Sequence, residues 1–171
     1  MALVIVIILF IWALQYYSQP ALPPSAITSA NVLEQNYYPV KRIVDGDTFI
    51  YLIGDEERTV RILGADTPET KDPRKPVQCF GEEANNAANK ILAGQSVRLE
   101  RDLTALNVDM YGRELRYVYL PDGTMVNRYL IENGFAHVTR QSPFRLQQEF
   151  VNLENEARIA GRGLWSPQAC N

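Results

Sequence analysis

From Pro39 onward the chain is punctuated at short intervals by turn dipeptides, and this spacing restricts its fold more than any other feature. Five runs rich in β-branched, aromatic and aliphatic residues, at 40–44, 48–52, 58–63, 97–100 and 115–120, have the length of strands. Asp45-Gly46 separates the first two, Gly54-Asp55 separates the second from the third, and Asp122-Gly123 follows the fifth. Such pairs reverse a chain because glycine enters the left-handed region without steric cost and aspartate bonds its own backbone. Five short strands is the number that a small, partly open Greek-key barrel requires.

Between the third and fourth strands the period changes from two to 3.6. Ala84, Ala87, Ala88, Ile91 and Leu92 recur at i, i+3, i+4, i+7 and i+8 after Phe80-Gly81, and Gly94 supplies a stop. A second, short helix is expected from about Val126 to Asn133, ended by Gly134. A third should follow Ser142-Pro143, which reads as N-cap and first turn, with a core stripe of Leu146, Phe150, Leu153, Ala157 and Ala160. Strands followed by helices, with the fourth strand after the first helix, predict an α+β domain.

The 171 residues leave room for one compact domain and no second enzymatic one. A hydrophobic content of 46% and a charged content of 22% are those of a globular chain, and there is no internal repeat. The net charge of -3 excludes a protein that holds nucleic acid by bulk electrostatics, so a polyanion must be gripped locally.

The N-terminus is different in kind. Residues 2–14 are an almost unbroken apolar run. It is roughly 20 Å long as a helix, against a bilayer core of about 30 Å. Residues 1–17 therefore read as a membrane-targeting segment, either a cleaved signal peptide or a retained membrane anchor. Residues 18–36, with Pro20, Pro23 and Pro24, read as a linker, and 37–171 as the folded domain. The expected location is outside the cytoplasm, extracellular or membrane-anchored. In an oxidising compartment Cys79 and Cys170 would pair, tying the C-terminal tail to the segment before the first helix; the alternative is two free thiols.

The chemistry concentrates in VDGDT, RILGADTPE and DMYGR. Val60 and Ile62 share one face of the third strand, so Arg61 points to the other. Asp66-Thr67-Pro68-Glu69 follows at once, and Pro68 stiffens the presentation of its two flanking carboxylates. Asp47 closes the first turn. It either bonds backbone amides there or joins Asp66 as an anionic donor to a metal. His137 is the sole histidine, so no imidazole cluster competes. All-oxygen donors imply a hard cation, and two carboxylates, a carbonyl and waters suit Ca²⁺ better than Mg²⁺. Arg113, in a turn before the fifth strand, pairs with Arg61 to offer two planar forks that match phosphate oxygens. Metal and guanidinium groups together stabilise a phosphodiester as it gains charge toward its transition state.

In order and spacing, the strings VDGDT, RILGADTPET, FGEEA, YGRELRYVY, MVN and GLW resemble the staphylococcal nuclease (thermonuclease) family over residues 37–165. The resemblance implies a five-stranded OB-fold β-barrel with three α-helices. It also implies a monomeric endonuclease that hydrolyses DNA and/or RNA with little sequence preference and leaves 3′-phosphate ends. By it, Asp47, Asp66 and the carbonyl of Thr67 would hold one Ca²⁺, and Glu69 would position or deprotonate the attacking water. Arg61 and Arg113 would bind the scissile phosphate, and Tyr111 would pack on the nucleotide. Met110 stands where many relatives have lysine, and Thr139-Arg140-Gln141 where they have tyrosines that line the nucleotide pocket. Arg74 and Lys75, in a basic loop beside the site, would steer the strand. The rival reading is a non-catalytic OB-fold module, tethered at the membrane, that binds nucleic acid or a protein.

Overall fold

The structure, a computed structural model, describes residues 36–70 and 77–170. The expected membrane-targeting segment and nearly all of the linker fall outside the described residues, as do Arg74 and Lys75. Among the described residues no helix is long and apolar enough to cross a membrane.

The elements in chain order are β1 (Tyr37–Asp45), β2 (Thr48–Ile53), β3 (Glu56–Ile62), a two-residue β4 (Ala65–Asp66), α1 (Gly81–Leu92), β5 (Ser96–Glu100), β6 (Glu114–Tyr119), α2 (Val126–Glu132), a two-residue β7 (His137–Val138) and α3 (Gln147–Ile159). A 3₁₀ turn, Gly163–Trp165, follows. Five strands close a barrel in the order β1-β2-β3-β6-β5. β3 and β6 run parallel, and the other barrel pairs are antiparallel. The α+β barrel with three helices is the architecture expected from the strand and helix periods, with one correction. The barrel is closed rather than partly open, because β1 bends across its register shifts and pairs with both β2 and β5. The small β4–β7 sheet was not expected; two residues are too few to show a period.

Alternation decides what faces inward. On β3, Val60 and Ile62 are fully buried, and Arg61 lies between them on the other face. Phe49, Tyr51, Val97 and Val118 belong to the same buried core, as does Tyr117 on the opposite face of β6, whose ring meets Phe150 of α3 edge-on at 6.3 Å. The alanines of α1 let that helix lie close to its neighbours, with Ala84, Ala87, Ala88 and Leu92 buried. Gly94, at φ +73°, ends it as expected.

α3 departs from expectation at its start. It begins at Gln147, and Ser142 and Pro143 stay exposed in a bend. The intervening residues deliver Phe144 into the core, where its ring centroid lies 5.6 Å from that of Phe150. Phe144 also presses on Gly64, where a Cβ would lie 2.7 Å from the ring. The expected stripe is corrected as well: Ala160 is exposed, and the fully buried positions are Phe150, Glu154 and Ala157. The expected disulfide joins Cys79 to Cys170 across 91 residues, with Cα atoms 5.6 Å apart. Closing so long a loop stabilises the fold by about 4.6 kcal/mol in the chain-entropy picture.

Candidate active site

Asp47 is the organising group. It is 4% exposed, and its Oδ1 accepts a hydrogen bond from Thr48 Oγ1 at 3.0 Å. Its Oδ2 accepts two more, from the Thr67 backbone N–H and from Thr67 Oγ1, both at 2.9 Å. These bonds join the β1–β2 turn to the loop after β4, across 20 residues of sequence. Gly46 makes the approach possible. Its φ is not in the left-handed region, but a Cβ there would sit 2.8 Å from Thr67 Oγ1 and 2.9 Å from Thr67 Cγ2. The glycine that reads as turn chemistry in the sequence is needed because a threonine packs against its backbone.

Arg61, on β3 opposite Thr48 of β2 and Leu115 of β6, ion-pairs through Nη1 with Asp47 Oδ2 and through Nη2 with Asp66 Oδ1. Burial pulls its pKa below the usual guanidinium value; Asp66 opposes that and the nearby Arg113 adds to it. The two guanidiniums share this site with three carboxylates, those of Asp47, Asp66 and Asp109. The Asp66 side chain is 59% exposed, while its backbone is held by pairing with His137 of β7. The unforeseen β4–β7 sheet thus orients a carboxylate that the sequence singles out.

Arg113 is aimed by Asp109. The guanidinium Nε donates to Asp109 Oδ2 at 2.6 Å, and Asp109 Oδ1 accepts the backbone N–H groups of Tyr111 and Arg113 at 2.9 Å each. Burial works against ionisation of Asp109, but the bonds from Arg113 prevail and hold its carboxyl below the ordinary value. Arg113 Nη1 donates to Thr48 Oγ1 at 3.3 Å, and the guanidinium lies 5.2 Å from the centre of the Tyr111 ring. Thr48 therefore connects Arg113 to Asp47.

Arg61, Asp66, Arg113 and Tyr111 line one cleft of 530 Å³, with Leu106, Met110 and Phe144 among its apolar wall. Met110 and Tyr111 stand at its rim, 87% and 72% exposed. Glu69, half-buried, lies two residues beyond Thr67. Its backbone N–H donates to Gln78 Oε1 at 2.9 Å, and its loop is tied further by Thr70 Oγ1 donating to Asp45 Oδ1 at 2.6 Å.

The structure thus brings Asp47, Arg61, Asp66 and Thr67 into direct contact and joins Arg113 to them through Thr48. Arg140 also lines the cleft, but it is committed to α3: it ion-pairs with the fully buried Glu154 and donates to the Val138 carbonyl at 3.0 Å. Burial favours a neutral Glu154, yet Arg140 and the Val138 N–H hold its pKa below the ordinary value.

Several residues that shape the site escape a reading for chemistry. Asn127, fully buried, accepts from the Val118 N–H at 2.8 Å and donates to the Leu63 carbonyl at 2.8 Å. It ties the end of β3 to β6, between the segments carrying Arg61 and Arg113; its only signal was its place in MVN. Glu154 was detectable as a carboxylate one turn beyond Phe150 on a helix's buried face.

The donor chemistry fits a hard cation. Among the described residues no three His, Cys, Asp or Glu side chains cluster closely enough to hold a metal. The set that could hold one is smaller, two carboxylates and the Thr67 carbonyl, and waters would have to complete it. One observation supports that assignment: a single guanidinium touches both Asp47 and Asp66, so the two carboxylates already share one cationic partner.

Comparison with known proteins agrees with this geometry. The family described as staphylococcal nuclease homologue matches residues 59–167. A thermonuclease from Staphylococcus intermedius is 39% identical over 168 residues, covering 96% of this chain and 93% of that protein. A thermonuclease from Staphylococcus hyicus is 32% identical over 165 residues, covering 96% and 95%. Endonuclease YncB from Bacillus subtilis is 35% identical over 127 residues, covering 73% of this chain and 59% of its own length. With its closed five-stranded barrel, three helices and matched sequence, the chain belongs to the staphylococcal nuclease family.

Proposed function

We propose that this protein is a Ca²⁺-dependent nuclease that hydrolyses phosphodiester bonds of DNA and/or RNA with little sequence preference, leaving 3′-phosphate ends. The observation that carries the reading is the junction of Asp47, Thr67, Asp66 and Arg61, with Arg113 facing the same cleft. A solvated surface would not bury Asp47 against three donors, because an ionised carboxylate loses its hydration there. The relatives named thermonuclease and endonuclease support the same class of reaction.

In this reading Asp47, Asp66 and the Thr67 carbonyl hold Ca²⁺ rather than Mg²⁺. When bound, the cation supplies Lewis-acid charge to the phosphate. Arg61 and Arg113 grip phosphate oxygens and stabilise the charge that builds on them. Glu69, on the proline-stiffened loop, accepts a proton from the attacking water. Tyr111 packs on a nucleotide at the rim, and Arg74 and Lys75 steer the strand. Cleavage on the 5′ side of the phosphorus leaves the phosphate on the 3′ end. The protein acts as a monomer outside the cytoplasm, and residues 1–17 serve as its signal or anchor; the disulfide supports that location.

Incubation of the full chain with single-stranded DNA or RNA and Ca²⁺ should release small fragments, and chelator should stop the release. Nucleic acid left intact with Ca²⁺ present would sink the enzyme reading in favour of a binding module.

A further inference from the structure

Among the described residues, Gln78 holds Glu69 from downstream. The Glu69 backbone N–H donates to Gln78 Oε1 at 2.9 Å, and the Glu69 carbonyl accepts the Gln78 backbone N–H, also at 2.9 Å. The two residues thus exchange a reciprocal pair of bonds across nine positions. Two bonds in opposite senses restrain both position and rotation of a peptide, which one bond cannot do.

What fixes Gln78 in turn is legible in its neighbours. Cys79, the next residue, is bonded to Cys170. Phe80 follows at φ 66°, the one non-glycine residue with positive φ among the described residues. A left-handed conformation costs a side-chain-bearing residue about 1–3 kcal/mol and persists only where its surroundings impose it. Here the surroundings are the disulfide on one side and, on the other, the Phe135 ring stacked at 6.0 Å. The Gln78 carbonyl accepts the Gly81 N–H at 3.0 Å. Gly81 itself abuts the Glu69 loop: a Cβ there would lie 2.6 Å from Thr70 Cγ2 and 3.3 Å from the Glu69 carbonyl oxygen.

We propose that Gln78 is a positioning residue for Glu69, held in register by the Cys79–Cys170 bond, so that full activity requires the oxidised protein. The inference rests on the nuclease reading, in which Glu69 takes a proton from water. Proton abstraction depends steeply on placement, and a displacement of about 1 Å can cost up to roughly a hundredfold in rate. Phosphate binding by Arg61 and Arg113 does not pass through this brace, so its loss should fall on kcat rather than KM.

The test compares the full-length wild type, oxidised and reduced, with Gln78→Ala, Gln78→Glu and a Cys79→Ala/Cys170→Ala double variant. Steady-state kinetics are measured on single-stranded DNA, and exchange of the Glu69 amide hydrogen is followed without substrate. Q78A should lower kcat about tenfold with KM within twofold, and speed exchange at Glu69 while amides in β3 keep theirs. Q78E, which keeps an acceptor oxygen for the Glu69 amide, should restore most of the rate. Reduction and the double cysteine variant should lower kcat in the same sense.

Wild-type kcat in Q78A would overturn the proposal, as would a loss confined to KM; undiminished kcat after reduction would remove the disulfide from the brace. An inert wild type whose Glu69 amide is nonetheless protected, and loses protection in Q78A, would refute the nuclease reading and with it this role. That result is distinct from an active Q78A, which refutes the positioning role alone.

Discussion

Gly46→Ala is the sharpest perturbation of the junction, because it adds one methyl group and removes no donor or acceptor. The new Cβ would lie 2.8 Å from Thr67 Oγ1, 2.9 Å from Cγ2 and 3.0 Å from Cβ. Ordinary contact between such atoms lies near 3.5–4.0 Å, so Thr67 must retreat by roughly 0.5–1 Å. Overpacking of this size costs about 1–3 kcal/mol. The backbone there is not left-handed, so alanine also recovers about 0.4–1 kcal/mol by restricting the unfolded chain. The net expectation is a loss of about 1–2 kcal/mol. The larger consequence is local. Retreat of Thr67 stretches both of its 2.9 Å bonds to Asp47 Oδ2 and separates two of the three protein groups assigned to the cation. Ca²⁺ affinity should fall about tenfold or more, equivalent to about 1.4 kcal/mol, measured by calorimetric titration beside a thermal melt. Gly54→Ala is the control: Gly54 has φ +58° with nothing within 4 Å of the added Cβ. It should lose about 1–2 kcal/mol of stability with unchanged Ca²⁺ affinity. Equal affinities in G46A and wild type would refute the packing argument.

Arg61→Gln should raise Ca²⁺ affinity several-fold while lowering hydrolysis, since the guanidinium competes for the oxygens of Asp47 and Asp66; titration that shows weaker binding would contradict this. Acid should unfold the protein in part through Asp102, which is 2% exposed and accepts bonds from Tyr117 Oη at 2.6 Å and the Arg145 N–H at 2.6 Å. Burial works against its ionisation, but these donors hold its pKa well below the ordinary value. The unfolded chain therefore takes up this proton first, so the stabilisation is present above about pH 4 and is lost as pH falls toward the folded value. Asp102→Asn should flatten that decline by up to about 1.4 kcal/mol per pH unit in urea-unfolding series, and an unchanged slope would count against it.

How much of this was legible in the sequence varies with the length of the signal. The barrel strands and α1 carry enough residues to show a period, and Val60 and Ile62 face inward with Arg61 opposed as alternation requires. β4 and β7 do not carry enough, yet their pairing sets the backbone of Asp66. α3 starts later than the Ser142-Pro143 cap signal predicts because that signal is local, whereas the burial of Phe144 against Gly64 and Phe150 is not. The site followed the same division. Asp47, Arg61, Asp66, Thr67 and Arg113 stand out as charged or polar residues in apolar strings, and the structure joins them. Gly46, Gln78, Asn127 and Glu154 act through contacts between distant segments, which no local spacing encodes.

The central claim is that this cluster of carboxylates and arginines hydrolyses phosphodiester bonds, and Glu69→Gln tests it most directly. The exchange keeps size and hydrogen-bonding capacity but removes the base, whose usual contribution is about 10²–10⁴ in rate. Single-turnover cleavage of a labelled oligonucleotide, with Ca²⁺ binding measured on the same samples, should show a loss of at least about a hundredfold with the cation still bound. Cleavage by E69Q at the wild-type rate would contradict the account.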